Sequence, residues 1–390
     1  MRISEKFLNK SLQAACGQNF KNYEIIIYDD CSTDGSIDII KRYKKVKLLN
    51  NKSINNTLNF NASIKDAVKL LEECKIKVIV VLADDNKVLG TITDGDIRRG
   101  LLKSISLSSD CISIMNQKPR CALDSDSKLI NKLLTQEKLS VVIVDKDNKF
   151  IGIESSIRTD KAMHYKNTVV IMAGGEGKRM MPLTLSTPKP LLYIKDKPIL
   201  HKIIDSLSEH GFSNIVISVR YRANDIKKYF EDGKKFNVNI KYIEEDEPLG
   251  TAGSLSLLDK EDDEPIIVMN GDLMTSINYE QLLDFHKKSK KDITLCTVNY
   301  DILIPFGTIS LDNEELSRIE EKPLKSFLIN AGIYIVEQKT INSMKKGQAI
   351  DMTNLVENCV ENKSVAVFPL HEHWLDVGNP ENLKKAQEVE

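Results

Sequence analysis

Residues 168–192 limit what this chain can fold into more than any other stretch. They open on an unbroken apolar run, Val169-Val170-Ile171-Met172-Ala173, and pass directly into Gly174-Gly175-Glu176-Gly177-Lys178-Arg179-Met180, with Pro188-Lys189-Pro190 soon after. An apolar run without polar alternation suits a strand buried on both faces, as in the centre of a parallel sheet. The glycines at its carboxyl end let the backbone approach a ligand closely. Amides left out of the sheet there, with Lys178, Arg179 and Lys189 nearby, make a cradle for an anion. Two phosphate loops are excluded. Lys178 is followed by Arg179 where a Walker loop needs Ser or Thr, and Met180 stands where a dinucleotide fingerprint needs its third glycine. Taken alone, the stretch fits a structural turn as well as a phosphate site.

Any phosphate-binding charge must be local. The 390 residues carry a net charge of -1, which supplies no whole-molecule field for nucleic acid or an anionic membrane. With 41% hydrophobic and 28% charged residues, the composition is that of a globular chain long enough for several domains. Seven cysteines, an odd number with no C-x-x-C pair, fit reduced thiols. No apolar run approaches a membrane span, and the Lys- and Asn-rich first residues lack the apolar core of a secretion signal, so a cytoplasmic protein without membrane or nucleic-acid partners is expected.

Read in order, residues 1–50 offer one helical pattern (Phe7, Leu8, Leu12), one strand (residues 24–28) and the acidic turn Asp29-Asp30-Cys31-Ser32-Thr33-Asp34-Gly35-Ser36. This turn resembles the nucleotide-contacting turn of inverting glycosyltransferases. That fold's first strand, metal motif and base are missing, so a remnant or accessory segment is expected, too short for its own core of that type. Residues 51–160 repeat a pattern of one helix followed by two strands. Ile64 to Leu71, Val78 to Val81 and Val88 to Thr93 are echoed by Ile130 to Leu134, Val141 to Val144 and Phe150 to Ile153. Internal repetition of this kind argues for a paired module about a pseudo-twofold axis. Gly90-Thr91-Ile92-Thr93-Asp94-Gly95-Asp96 resembles the ligand motif of tandem CBS pairs. The resemblance implies that Thr93 meets a phosphate and Asp96 the ribose hydroxyls of a regulatory adenine nucleotide. The second repeat departs from it, reading Gly152-Ile153-Glu154-Ser155, so one site at most is expected, and a plain packing module fits equally well.

From residue 167 to the end, strands alternate with helices, as in an α/β domain whose largely parallel, mixed sheet is covered on both faces. Asn214 to Val219 and Pro265 to Met269 are further buried strands. Pro198 opens a helix with one apolar face, Ile199, Leu200, Ile203, Ile204 and Leu207, stopped by Gly211. Ligands of such sheets bind where the strands end, and every candidate below is expected just after a strand.

Four signatures join the glycine loop: residues 245–253 (Glu245 to Gly253, including Leu249-Gly250-Thr251), Asn270-Gly271-Asp272, Glu320-Glu321-Lys322-Pro323 with Asn330-Ala331-Gly332, and Trp374-Leu375-Asp376-Val377-Gly378. In this order they resemble the sugar-1-phosphate nucleotidylyltransferases, with a Rossmann-like nucleotide-sugar fold, across all of residues 167–390. The resemblance implies that a sugar-1-phosphate attacks the α-phosphorus of a nucleoside triphosphate and pyrophosphate leaves, a reaction run mainly by positioning and charge neutralisation. It assigns Asp272 and Asp376 to Mg2+, an ion that favours oxygen ligands. Lys189 falls near the α-phosphate and Arg179 on the pyrophosphate, with Asp272 also catalytic. Ala173, Gly174, Gly175, Gly177, Lys178, Glu245, Gly250 and Thr251 hold the nucleotide. Gly307, Glu321, Lys322 and Asn330 hold the sugar phosphate.

Glu245 stands where thymidylyl- and uridylyltransferases of this family place a glutamine. A carboxylate only accepts hydrogen bonds, and guanine offers two adjacent donors where uracil and thymine offer acceptors, so GTP is the expected donor. Glu244 and Glu247 remain alternatives for that contact. The paired module ahead of the transferase resembles the arrangement in glucosamine-1-phosphate guanylyltransferases of legionaminic-acid synthesis. Glucosamine-1-phosphate is therefore the expected acceptor, with mannose- or heptose-1-phosphate as alternatives, and a homo-oligomer is expected.

Overall fold

The computed structural model describes residues 25–29, 46–50, 56–74, 76–135, 140–155, 164–259 and 263–389. The chain divides into two compact units, Met1–Lys161 and Ala162–Glu390. None of the described helices is long and apolar enough to cross a membrane.

In the first unit, β1 (Ile25–Asp29) and β2 (Val46–Asn50) pair in parallel. The helical pattern around Phe7 and the acidic turn beyond Asp29 lie outside the described residues. Next come β3 (Thr57–Asn59), α1 (Ile64–Glu73), β4 (Val78–Leu82), β5 (Val88–Thr93) and α2 (Asp94–Leu102). The repeat supplies β6 (Cys121–Leu123), α3 (Ser127–Thr135), β7 (Ser140–Val144) and β8 (Phe150–Ser155). Each half therefore carries a strand ahead of the helix, which corrects the helix-strand-strand expectation. Three residues are too few to show a period, and β3 and β6 are fixed by parallel pairing with β4 and β7.

The two halves match in detail. Val81 pairs with Gly90 and Ile143 with Gly152, and each hairpin has its register shift at the next residue. Asn86 and Asn148 occupy left-handed backbone in the two turns, a conformation asparagine tolerates. The Val88 amide donates to the Asn148 carbonyl and the Phe150 amide to the Asn86 carbonyl, both at 3.0 Å. This reciprocal pair is the pseudo-twofold contact that the repetition implied. Behind it Val80, Val88, Val142, Val144 and Ile153 share one buried cluster.

The second unit runs β9 (Val169–Met172), β10 (Tyr193–Ile194), β11 (Lys197–Pro198), α4 (Ile199–Glu209), β12 (Asn214–Val219), α5 (Ala223–Phe230) and β13 (Asn239–Glu244). It continues through α6 (Gly250–Gly253), β14 (Ile266–Asn270), β15 (Leu273–Thr275), α7 (Tyr279–Ser289), β16 (Ile293–Leu303), β17 (Thr308–Asp312), β18 (Glu315–Glu320) and β19 (Leu324–Val336). Then follow α8 (Gln338–Asn342), α9 (Met352–Val360), β20 (Val365–Leu370), β21 (Trp374–Asp376) and α10 (Pro380–Val389).

The main sheet has the order β13-β12-β9-β14-β19-β16-β20. Pairing is parallel from β13 through β14 and between β16 and β20, and antiparallel only where β19 inserts. The mixed, mainly parallel α/β sheet expected of residues 167–390 is thus present. Strand periodicity sorts the core: Val169 and Ile171 face the same cluster as the apolar stripe of α4, while Val170 faces Met352 and Leu355 of α9. With both faces covered, the free space lies along the strand ends. The parallel strands β9, β12, β13 and β14 all finish at one edge, and that edge carries the site.

Candidate active site

At the end of β9 the chain leaves the sheet after Ala173, whose amide donates to the Ser218 carbonyl at 2.8 Å. The Ala173 amide is therefore committed to the scaffold, and the residue contributes to the site as a buried wall. No backbone hydrogen bond is donated by the amides of Gly174, Gly175 or Gly177 among the described residues, as an anion cradle requires. Gly177 has φ +65°, and a Cβ there would stand 2.8 Å from Thr184, so glycine is needed for conformation and space alike. Met180, fully buried, anchors the loop.

The loop opens on a cavity of about 600 Å³ whose lining includes every sequence-assigned nucleotide residue, Arg179, Lys189 and Asp272. Convergence of the two carboxylates is built by the short ladder β15–β21, in which Leu273 pairs with Asp376. The Val377 amide reaches back to the Asp272 carbonyl at 2.9 Å. Lys189, 9% exposed, makes an ion pair with Asp272. A Cβ on Gly378 would lie 2.9 Å from Asp376 Oδ1 and 3.1 Å from Arg179 Nη2, so glycine at 378 lets the carboxylate and guanidinium share that corner.

Asp376 Oδ1 is buried and, among the described residues, has no hydrogen-bond partner. Its carboxyl is raised above the usual range, first by burial and then by the charge of Asp272, against the opposing pull of Lys189 and Arg179. Two neighbouring carboxylates, one with an orphaned buried oxygen, form a donor set that fits a hard divalent cation such as Mg2+.

Glu245 lines the same cavity, beside Gly174. Its Oε1 accepts from the Ser218 hydroxyl at 2.5 Å and its Oε2 from the Leu249 amide at 3.1 Å. Each oxygen keeps a lone-pair direction for a ligand while the carboxylate is held from behind. Glu244 instead pairs with Lys227, and neither it nor Glu247 lines the cavity. Thr251 is tied down at Asp351 Oδ1, by its amide at 3.0 Å and its hydroxyl at 3.3 Å.

Two residues were missed in the sequence. Arg220 lines the cavity and pairs with Glu176 at 3.2 Å, and Ser218 orients Glu245. Both sit at the end of β12, so the rule that placed the other candidates after strands had pointed to them.

The sugar-side residues correct that same rule. Glu321 and Lys322 do follow a strand, but it is β18 of a hairpin outside the main sheet; Gly307 precedes β17, and Asn330 lies within β19 rather than beyond it. None of the four lines the cavity. Gly307 and Glu321 do meet, since a Cβ on Gly307 would stand 2.8 Å from Glu321 Oε2. Lys322 is exposed with φ +45°. Asn330 is spent on shaping a bulge, donating to the Tyr334 hydroxyl at 2.6 Å and accepting from the Gly332 amide at 2.9 Å. That bulge brings Gly332, φ +70°, so close to Asn270 that a Cβ would fall 2.6 Å from its Nδ2. The sugar-side strand and the loop carrying Asp272 are therefore in contact through Gly332 and Asn270.

In the first unit, Asp96 is 8% exposed. Its Oδ2 accepts from the Thr93 amide at 2.9 Å and hydroxyl at 2.6 Å, and its Oδ1 from Arg99 at 2.6 Å. The pair caps α2.

A glycine loop with unbonded amides, two neighbouring carboxylates and two cations beside them thus meet at the strand ends. The family model described as Nucleotidyl transferase matches residues 168–389, more than half of the chain, and the chain belongs to that family. Among its relatives is the mannose-1-phosphate guanyltransferase of Debaryomyces hansenii, 35% identical over 226 residues, 55% of this chain and 62% of that protein. Another is the mannose-1-phosphate guanylyltransferase of Mycobacterium tuberculosis, 29% identical over 223 residues with shares of 55% and 62%. The chain thus spans less than two thirds of the length of these relatives. The crystal structure of HddC from Yersinia pseudotuberculosis complexed with GMP-PN is 28% identical, covering 57% of this chain and 98% of that one, with a TM-score of 0.45; at that score the likeness carries no argument.

A second model, Glycosyl transferase family 2, matches residues 2–89. It runs past the boundary expected at residue 50 and through β4. In the structure Ile64, Ile79 and Ile92 share one buried cluster, so packing groups those residues with the repeated module.

Proposed function

We propose that residues 167–390 transfer a nucleoside monophosphate from a triphosphate, GTP first, to a sugar-1-phosphate, releasing pyrophosphate. One observation supports the reading: Asp272 lines the cavity of the glycine loop together with Lys189 and Arg179, and Asp376, which does not itself line it, is held beside Asp272 by the β15–β21 ladder. In the reaction a sugar-phosphate oxygen bonds to the α-phosphorus as the bond to pyrophosphate breaks. Lys189 and Arg179 offset charge on the phosphates, and the free loop amides orient them. Asp272 and Asp376 would hold Mg2+, which supplies further positive charge to the phosphate oxygens. Glu321 and Lys322, beside Gly307, take the sugar phosphate.

Guanine is supported by Glu245, whose carboxylate is fixed from behind by Ser218 and Leu249 and faces the cavity. The names of the relatives favour mannose-1-phosphate as acceptor, and the likeness in domain order to legionaminic-acid enzymes favours glucosamine-1-phosphate. A matrix of triphosphates against sugar-1-phosphates with magnesium, read as pyrophosphate release, decides both. GTP is expected to give the highest kcat/KM, and Glu245→Gln to lower it about 10- to 100-fold, the value of a hydrogen bond to a charged group. UTP or dTTP outcompeting GTP on the unaltered chain would remove the guanine assignment.

For residues 51–160 we infer a CBS pair that takes an adenine nucleotide at Thr93 and Asp96 and modulates turnover. The ligand must displace Arg99 or the helix cap from Asp96. AMP or ATP is expected to raise the melting temperature of the full chain, and Asp96→Ala to abolish that increment over its own nucleotide-free baseline. An increment of equal size in the variant rejects the site. Nucleotide-induced stabilisation with no turnover anywhere in the matrix would instead make the chain a sensor.

A further inference from the structure

The glycine loop contains an anion of its own. Glu176 stands between Gly175 and Gly177 and lines the cavity with Lys178 and Arg220. Its carboxylate bridges the two cations, one oxygen to each. Oε1 accepts from Arg220 Nη2 at 3.2 Å, and Oε2 lies 3.0 Å from Lys178 Nζ. Those hydrogen bonds, Lys178 first and Arg220 second, hold the Glu176 carboxyl below its usual range, so it is ionised at neutral pH. A carboxylate fixed in this place would repel any polyanion that the unbonded loop amides could receive.

Glu176 is placed to leave. The side chains of Lys178 and Arg220 are 76% and 25% exposed, and ion pairs this open to water are weak. A Cβ on Gly175 would meet nothing within 4 Å, so open space flanks Glu176 on that side. Arg220 is held more firmly, because it follows β12 and its Cβ would lie 3.4 Å from a Cβ on Gly174, the first glycine of the loop. A carboxylate and a phosphate can each present two oxygens to two cations. We propose that Arg220 is a phosphate-binding residue, and that Glu176 holds Arg220 and Lys178 in the free chain at the place that two oxygens of the triphosphate take when the nucleotide enters. The inference rests on the transfer reading above and adds to it a cation outside the sequence motifs and a resident competitor for the substrate. An arginine can also fork onto a guanine edge. Here, however, the group on Arg220 is an anion shared with a lysine, beside loop amides that seek the same kind of acceptor.

The test is titration calorimetry of the full chain with tripolyphosphate, which carries the phosphates without a base, in the absence of divalent cation. Circular dichroism verifies folding. Arg220→Met is expected to weaken tripolyphosphate binding about 10- to 100-fold, as for loss of a hydrogen bond to a charged group. Glu176→Gln should tighten it about two- to fivefold, since exposed ion pairs no longer have to break. In the Arg220→Met background that gain should shrink, because one of the two pairs is already gone. Unchanged affinity in Arg220→Met would place the guanidinium on another part of the nucleotide and overturn the phosphate assignment. Affinity no tighter in Glu176→Gln overturns the role of Glu176 as a stand-in. Absence of tripolyphosphate binding to the unaltered chain overturns the whole inference, while pyrophosphate release from GTP still judges the transfer reading separately. If Arg220→Met does not fold, Arg220→Lys decides: it keeps the charge, loses the fork, and should weaken binding about threefold or more.

Discussion

Asp272→Asn is expected to lower pyrophosphate release by about three orders of magnitude while leaving the chain folded. The carboxylate has two duties that an amide cannot share. It neutralises Lys189, which is nearly buried, and it would supply half the negative charge of the proposed cation site with Asp376. The amide can still accept a hydrogen bond from Lys189, so the stability loss should stay below the about 3–5 kcal/mol of a buried pair broken outright. Steady-state turnover and thermal melts on the same preparation separate the two effects. Turnover within tenfold of the unaltered chain would remove Asp272 from the machinery. An unfolded variant would assign it a structural role instead.

Local pattern carried the frame of the second unit. The strand read at Asn214 to Val219 is β12, the apolar run from Pro265 is β14, and the helix opened by Pro198 ends at Glu209 just before the stop read at Gly211. Those features rest on side-chain periodicity and on Pro and Gly, which act within a few residues. The site is assembled by contacts that have no local signature. Lys189 reaches Asp272 across 83 positions and Ser218 reaches Glu245 across 27. A serine inside a buried strand reads only as a tolerated polar residue until its partner is known. The same limit hid the bulge at Gly332. Asn330-Ala331-Gly332 was legible as a motif, but not that Asn330 would spend its amide on Tyr334 and Gly332.

The acidic partner makes a prediction of opposite sign for stability and activity. In the folded chain the Asp376 carboxyl titrates above its usual range because burial and Asp272 disfavour the charge. Below the unfolded value both states hold the proton and the group contributes nothing. As pH rises from there through the raised folded value, the unfolded state ionises first and stability falls; above it the folded state bears the full cost. Near neutral pH and without divalent cation, Asp376→Asn should therefore melt at a higher temperature than the unaltered chain, and its melting temperature should fall less as pH is raised from the acid side. Turnover should drop about 100-fold or more, since the proposed cation site would lose one of two charges. Magnesium should stabilise the unaltered chain and do so much less for the variant, because a ligand that binds only the folded state stabilises it in proportion to its affinity. Melts in chelator and in magnesium across that pH range measure all of this together. A variant that melts lower in chelator, or that gains as much from magnesium as the unaltered chain, would mean that the orphaned oxygen of Asp376 serves packing rather than a cation. If both outcomes hold as expected, the chain gives up stability at Asp376 to keep a charge where its substrates need one.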